Sequence, residues 1–269
     1  METRPLSPKH ADSPHVPVIG MGTSVTFDID DVGAVAAVVN AALDAGTTFF
    51  DSSPMYGKAE RVLGEALDAR RREAVIATKV WTADHELAVA QLDDSSSFYE
   101  GRIELMQVHN MVEWPTRLDQ IEARRDSGEI AYVGATHWQV EGFDDLETAM
   151  RTGRLDAIQI PYNPIQREVE ARILPLAADL GLGVLLMRPF ARADLLRTLP
   201  PDSELTSLLP FGVTTWGQAL LKWGLGHPAT TVSIPATTRP ERAIENSLAG
   251  TGAPFDNDTR DRVAALFGR

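Results

Sequence analysis

The chain has 269 residues, of which 43% are hydrophobic and 23% charged, a globular balance that excludes a disordered or fibrous polymer and leaves room for one large domain or two small ones. Its 25 Lys and Arg stand against 38 Asp and Glu, a net charge of −13 with no basic run, so nucleic acid and anionic membranes are poor partners and an anionic ligand needs a local positive pocket. The absence of Cys removes disulfides, thiolate metal sites and cysteine nucleophiles, while the lack of a signal-peptide core or an apolar run of about 18 residues predicts a cytoplasmic protein without a membrane span.

Residues 1–16, with Pro5, Pro8 and Pro14, predict a flexible lead-in to a single domain over residues 17–269. Short β-branched runs then alternate with segments of helical period. The predicted strands are Val16–Gly20, Thr47–Asp51, Ala74–Val80, Leu105–His109, Ile130–Thr136, Ala157–Ile160, Gly183–Met187 and Thr231–Ile234. Between the first two, Asp31–Ala45 puts Val32, Val35, Val39 and Leu43 on one face, with Asp30 or Asp31 placed to cap its start and Gly46 to close its end. Lys58–Ala69 carries a second stripe, Val62, Leu63, Ala66 and Leu67. The triplet Ser95-Ser-Ser97 is expected to break the third helix, and Ala191–Phe211 is an insertion before the last strand. Phe255–Phe267 ends the chain as a capped helix with Val263, Leu266 and Phe267 inward, and Asn257-Asp-Thr259 reads as its cap rather than as a glycosylation acceptor.

Most strands begin about 25–30 residues after the one before, the length of a βαβ unit. Eight such units in about 250 residues predict an α/β fold of the (β/α)8 TIM-barrel class, with an open doubly wound sheet as the alternative. The nearest approach to a G-x-G-x-x-G turn, Gly20 to Val25, lacks the third glycine, and no phosphate loop is present, so the barrel is preferred.

In such a barrel the C-terminal strand ends build the active site. Three consecutive predicted strands run into ionisable groups: the second into Asp51, the third into Lys79 and the fourth into His109. Neighbouring strands lie about 4.8 Å apart, so Asp51 and Lys79 can pair, with His109 one strand further and Tyr56 in the loop after Asp51. A phenol is a poor proton donor near neutrality and burial raises its pKa, whereas an adjacent lysinium lowers it. Asp51 would keep Lys79 cationic, and His109 could orient a substrate oxygen. Singly, each residue has a structural explanation, such as Asp51 capping the next helix. Lys79 resists it: it is one of four lysines and ends an apolar strand, where an unpaired lysine is almost never buried. The remaining histidines show no ligand spacing, and no metal is predicted.

The chain resembles the aldo-keto reductases from about Val18 to about Asn246. The residues that carry the likeness are Gly20-Met-Gly-Thr23, Phe50-Asp-Ser-Ser-Pro-Met-Tyr-Gly57 with Glu60 and Leu63-Gly-Glu65, Ala77-Thr-Lys79, Met106-Gln-Val-His109, Val133-Gly134, Ile158-Gln159, Tyr162-Asn-Pro164, and Ile234-Pro235 followed by Arg239-Pro-Glu-Arg242 and Glu245-Asn246. Their order and spacing together are specific. The resemblance implies a barrel that binds NADPH without a Rossmann motif and reduces aldehydes or ketones, with Tyr56 as general acid and Asp51, Lys79 and His109 completing a tetrad. It places Gly22, Thr23 and Asp51 beside the cofactor, Gln159 on the nicotinamide carboxamide, and Arg242, Glu245 and Asn246 on the adenosine end.

Departures from the family pattern are expected to matter. Thr136-His137 stand where Ser-Asn usually meets the carboxamide, and Met187, followed by Arg188-Pro189-Phe190, stands for the aromatic that stacks on nicotinamide, with Arg188 placed to reach the pyrophosphate. Ala236-Thr237 replace a common lysine, so the preference for NADP over NAD rests on Arg242 and Arg239. Met21, Met55, Trp81, Met111 and Trp114 are candidate walls for a small carbonyl substrate. The expected protein is a monomer or small homo-oligomer. Two rival functions share these residues, a cofactor-binding regulatory subunit with little turnover and a Schiff-base lyase using Lys79.

Overall fold

The computed structural model describes residues 1–268. The chain opens with an antiparallel hairpin of β1 (Thr3–Pro5) and β2 (His15–Pro17). Eight parallel strands then follow one another around a single sheet: β3 (Met21–Gly22), β4 (Phe49–Asp51), β5 (Val75–Val80), β6 (Ile103–His109), β7 (Ile130–Thr136), β8 (Ala157–Pro161), β9 (Gly183–Met187) and β10 (Val232–Ser233). Bridges from Ile19 to Ser233 and from Gly22 to Ala236 join the last strand to the first, which makes the sheet a barrel and removes the doubly wound alternative.

Helices pack outside the strands: α1 (Val32–Asp44), α2 (Ala59–Leu67), α3 (His85–Phe98), α4 (Trp114–Asp126), α5 (Phe143–Arg151), α6 (Ile173–Asp179), the short α7 (Asp194–Arg197), α8 (Trp216–Leu225), α9 (Pro240–Leu248) and α10 (Asn257–Phe267). Aspartates at chain positions just before helices satisfy the first free amides. Asp31 accepts from Ala34 N, Asp84 from Leu87 N and Asp256 from Thr259 N. The last of these moves the cap of the terminal helix from Asn257 to Asp256.

Three expectations change in the structure. Residues 1–16 are not a loose lead-in. Their hairpin closes the lower mouth of the barrel, where Leu6 and Val16, both 0% exposed, pack on Phe49, Ala77, Leu105, Ala157, Leu185 and Val232 from inside the sheet. Burying two such side chains contributes about 1.5–3 kcal/mol each, enough to hold a short segment in place. The first barrel strand accordingly starts later than Val16–Gly20, because His15–Pro17 pair with the hairpin and Met21–Gly22 pair with β4. The third helix is continuous through Ser95-Ser-Ser97, since the buried Ser95 hydroxyl donates to Glu60 Oε1 at 2.8 Å instead of competing for backbone.

Candidate active site

Asp51 is the last residue of β4, Lys79 the next-to-last of β5 and His109 the last of β6, so all three stand on the C-terminal rim. Asp51 pairs in register with Ala77, which leaves Lys79 two residues higher and lets its long side chain fold back. Lys79 is 0% exposed, and its Nζ donates to Asp51 Oδ2 and to the Ser52 carbonyl, both at 2.7 Å. The other carboxylate oxygen, Oδ1, accepts from Gln159 Nε2 at 2.7 Å and from Gln107 Nε2 at 3.2 Å. Gly134 permits this arrangement, because a Cβ there would meet Gln107 Cγ at 2.9 Å.

Tyr56 ends a 3-10 turn, Pro54–Tyr56, capped by Ser53. Its ring centroid is 5.2 Å from Lys79 Nζ and 5.7 Å from the His109 ring, which it meets edge-on. Ser53 Oγ accepts from Met55 N at 3.2 Å and lies 2.8 Å from His109 Nδ1. The hydroxyl hydrogen has no other acceptor, so it goes to Nδ1 and the imidazole proton sits on Nε2.

The charges follow from these contacts. Burial pushes the Tyr56 phenol above its ordinary value, and the opposing pull of Lys79 does not cancel it, so the expected net lowering does not occur and the hydroxyl keeps its proton. Burial would discharge Lys79, but Asp51 first and Tyr56 second outweigh it and hold the ammonium charged. Burial, then Lys79 and His137, drives His109 well below its usual value, which makes it a neutral donor. The arrangement therefore holds a protonated phenol, a fixed cation behind it and a neutral N–H beside it. That is the equipment of a proton donor to a small polarised oxygen.

A cavity of about 960 Å3 opens over this rim. It is lined by Asp51, Tyr56, His109 and Gln159, by Gly22 and Thr23, and by Met187-Arg-Pro-Phe190. Ala236, Thr237, Arg239, Arg242, Glu245 and Asn246 complete the expected set within it. Arg242 Nη1 donates to Glu245 Oε2 at 2.5 Å, and Glu245 Oε1 accepts from Thr215 at 2.8 Å. Other expected residues lie outside the lining. Thr136 is buried beside Gln159 in the sheet, and His137 Nδ1 is 2.9 Å from the Gln139 carbonyl oxygen. Trp81, 38% exposed, stands 6.5 Å from the His109 ring, whereas Met21, Met111 and Trp114 pack into the apolar core. Among the described residues no cluster of three or more His, Asp or Glu side chains is gathered for a metal, and no helix is long and apolar enough to cross a membrane.

The Aldo/keto reductase family profile matches residues 18–203. The chain belongs to the aldo/keto reductase family. An aldo-keto reductase of Bacillus subtilis (strain 168) is 31% identical over 200 residues, covering 65% of this chain and 58% of that relative's length. An uncharacterized oxidoreductase of Mycobacterium tuberculosis is 26% identical over 263 residues, 86% of this chain and 81% of the other. Among solved structures, an aldo/keto reductase from Klebsiella pneumoniae in complex with NADP and acetate superposes with a TM-score of 0.83 at 22% identity, over 98% of this chain and 96% of that one. That last likeness establishes the shared barrel.

Several residues of this reductase-family site carry no obvious mark in the sequence. Gln107 sits inside a strand, and only its inward parity with His109, two residues on, points to the rim. Ser53, just after β4, reaches His109 at the end of β6 two strands away, a contact that requires knowing the register. Trp138 and Arg192 enter the cavity from loops.

Proposed function

We propose that the chain is an NADPH-dependent reductase that converts an aldehyde or ketone to an alcohol, with Tyr56 as general acid. The observation that carries this reading is the wholly buried Lys79 ammonium, fixed by Asp51 at 2.7 Å and 5.2 Å from the ring of Tyr56, behind the large cavity that Asp51 and Tyr56 line.

The residues present suit a nicotinamide dinucleotide. Gln159 lines the cavity and its Oε1 has no partner, so it can accept from a carboxamide, while Thr136 and Gln107 are wholly buried outside the lining. Trp216 Nε1 is another unpartnered group in a residue of the cavity wall. Arg239 and Arg242 stand at the start of α9, where backbone N–H groups and guanidinium can meet a phosphate together.

When bound, the reduced nicotinamide supplies the hydride. His109 donates Nε2–H to the substrate oxygen and orients the carbonyl. The Tyr56 hydroxyl gives its proton to that oxygen as the carbon accepts hydride, so one hydride and one proton make the alcohol. Lys79 stabilises the phenolate left behind, and solvent returns the proton to Tyr56. Asp51 keeps Lys79 charged throughout.

Fluorescence titration with NADPH and NADH, paired with NADPH oxidation by a panel of reactive aldehydes, tests this. Tyr56→Phe should keep its NADPH affinity and lose about 10²–10⁴ of turnover. Full turnover in that variant removes Tyr56 as the acid, and tight nucleotide binding with no turnover on any aldehyde identifies a regulatory subunit instead.

A further inference from the structure

The loop after β9 lines the cavity from Met187 to Phe190 and again at Arg192 and Ala193, and four of its non-glycine residues are left-handed: Arg188, Ala191, Arg192 and Ala193, with φ of +53°, +48°, +58° and +73°. Such conformations cost on the order of 1–3 kcal/mol each and persist only where the surroundings hold them. The loop's own backbone holds itself lightly. The Arg188 carbonyl oxygen accepts from Ala191 N at 2.9 Å, and the Ala191 carbonyl oxygen from Asp194 N at 3.1 Å. Among the described residues one side chain reaches this backbone from another element: Asn163 Nδ2 donates to the Arg188 carbonyl oxygen at 3.0 Å.

Asn163 follows β8 by two residues and is 0% exposed, and its Oδ1 is occupied by Ile165 N at 3.2 Å. Its neighbour Tyr162 is gripped from behind. The Tyr162 hydroxyl accepts from Arg260 Nη2 of α10 at 2.6 Å and donates to Glu170, and its ring centroid lies 4.7 Å from that of Trp223 in α8. Trp223 Nε1 donates to the Arg260 carbonyl oxygen at 3.0 Å, and Arg260 Nε returns a bond to the Trp223 carbonyl oxygen at 3.1 Å. Two helices and a strand end thus fix Tyr162, and the next residue carries that rigidity to the loop.

Resting on the NADPH reading, we propose that Asn163 is a positioning residue for the dinucleotide: backed by Tyr162 and Arg260, it holds the Arg188 turn in the left-handed form that walls the cavity before any cofactor arrives. None of the three lines the cavity itself. Without the tie, only a fraction of molecules would present the binding form, and affinity falls by that fraction.

The test is Asn163→Asp, which keeps the size and the acceptor for Ile165 N but turns an acceptor toward the Arg188 carbonyl. NADPH affinity, read by fluorescence titration, should weaken by about tenfold, the worth of one hydrogen bond. Hydrogen exchange at the Ala191 and Asp194 amides of the cofactor-free protein should quicken by about tenfold or more, with the barrel strands unchanged. Tyr162→Phe, which keeps the ring and removes the hydroxyl, should shift both readings the same way by less, and its effect should shrink when Asn163→Asp is already present. A purely local role for Asn163 would lower the melting temperature and leave NADPH affinity and loop exchange at wild-type values, and either unchanged reading overturns the proposal. If Asn163→Asp does not fold, Tyr162→Phe decides on the same two readings. Wild-type protein that binds no NADPH would sink the reductase reading instead, and the exchange rates alone then decide whether Asn163 holds the loop.

Discussion

Glu60 lies behind Lys79, between β5 and α3, at 4% exposure, and its Oε1 accepts from Thr78 Oγ1 at 2.5 Å and from Ser95 Oγ at 2.8 Å. Burial pushes its carboxyl up to about 7, against the pull of the two hydroxyls and of Lys79. The folded state thus binds this proton more tightly than the unfolded chain, whose carboxyl titrates near 4.5. The resulting stability is complete below the unfolded value and is lost as pH rises through about 7. Glu60→Gln keeps an acceptor for both hydroxyls and carries no charge. It should match the wild type near about pH 4 and exceed it by up to about 3 kcal/mol above about pH 8, read as urea midpoints at the two pH values. Parallel pH dependence in both proteins would show that Glu60 is not the titrating group. The tetrad in front of it is legible in the sequence because Asp51, Lys79 and His109 each end an apolar strand, where a charge must have a purpose. The network behind it is not, because Ser95, Thr78 and Gln107 are ordinary polar residues until the helix and strand bring them within 3 Å or so of a carboxylate.

At the level of elements, the hairpin of β1 and β2 is the part that periodicity could not see. Two three-residue strands rich in proline have no detectable period, and their only clue is that Leu6 and Val16 are apolar in a polar segment. The barrel is shaped to receive them. A Cβ on Gly183, at the base of β9, would meet the Leu6 carbonyl oxygen at 1.8 Å, so the hairpin backbone lies directly on the strand. Lys9 and His10 add bonds to Asp156 Oδ1 at 2.9 and 2.8 Å. Leu6→Ala should therefore cost about 2–5 kcal/mol, the range for a core truncation that leaves a cavity. Because the hairpin is at the opposite end of the barrel from Tyr56, the destabilised variant should keep its kcat below its melting temperature. A cost under about 0.5 kcal/mol in thermal or urea unfolding would mean that the segment does not plug the barrel. The longer elements needed no such help: a capping aspartate and an apolar stripe mark α1, and an apolar stripe alone marks α2, to within a residue or two, because those helices bury one face and expose the other.

Over the whole molecule, a net charge of −13 surrounds a cavity whose wall carries Arg188, Arg192, Arg239 and Arg242. Two acids share that wall, and both are committed, Asp51 to Lys79 and Glu245 to Arg242. The excess acid lies elsewhere on the surface, which keeps an anionic ligand from other faces and leaves one basin for it. Within that basin Arg242 is held by Glu245, and Glu245 by the Thr215 hydroxyl at the cap of α8, so two helices fix the guanidinium before any ligand arrives. A preorganised cation of this kind should read the phosphate that distinguishes NADPH from NADH. Hydrogen bonds to charged groups contribute about 1.5–3 kcal/mol, so Arg242→Ala should weaken NADPH by about ten- to a hundredfold while NADH changes little. Raising salt should narrow the wild-type preference and leave the variant nearly unaffected, since Arg242 is half exposed and its field is screened. Fluorescence titrations of both nucleotides at two ionic strengths decide the matter: equal weakening of NADPH and NADH would move Arg242 from the 2′-phosphate to a part of the dinucleotide that the two share.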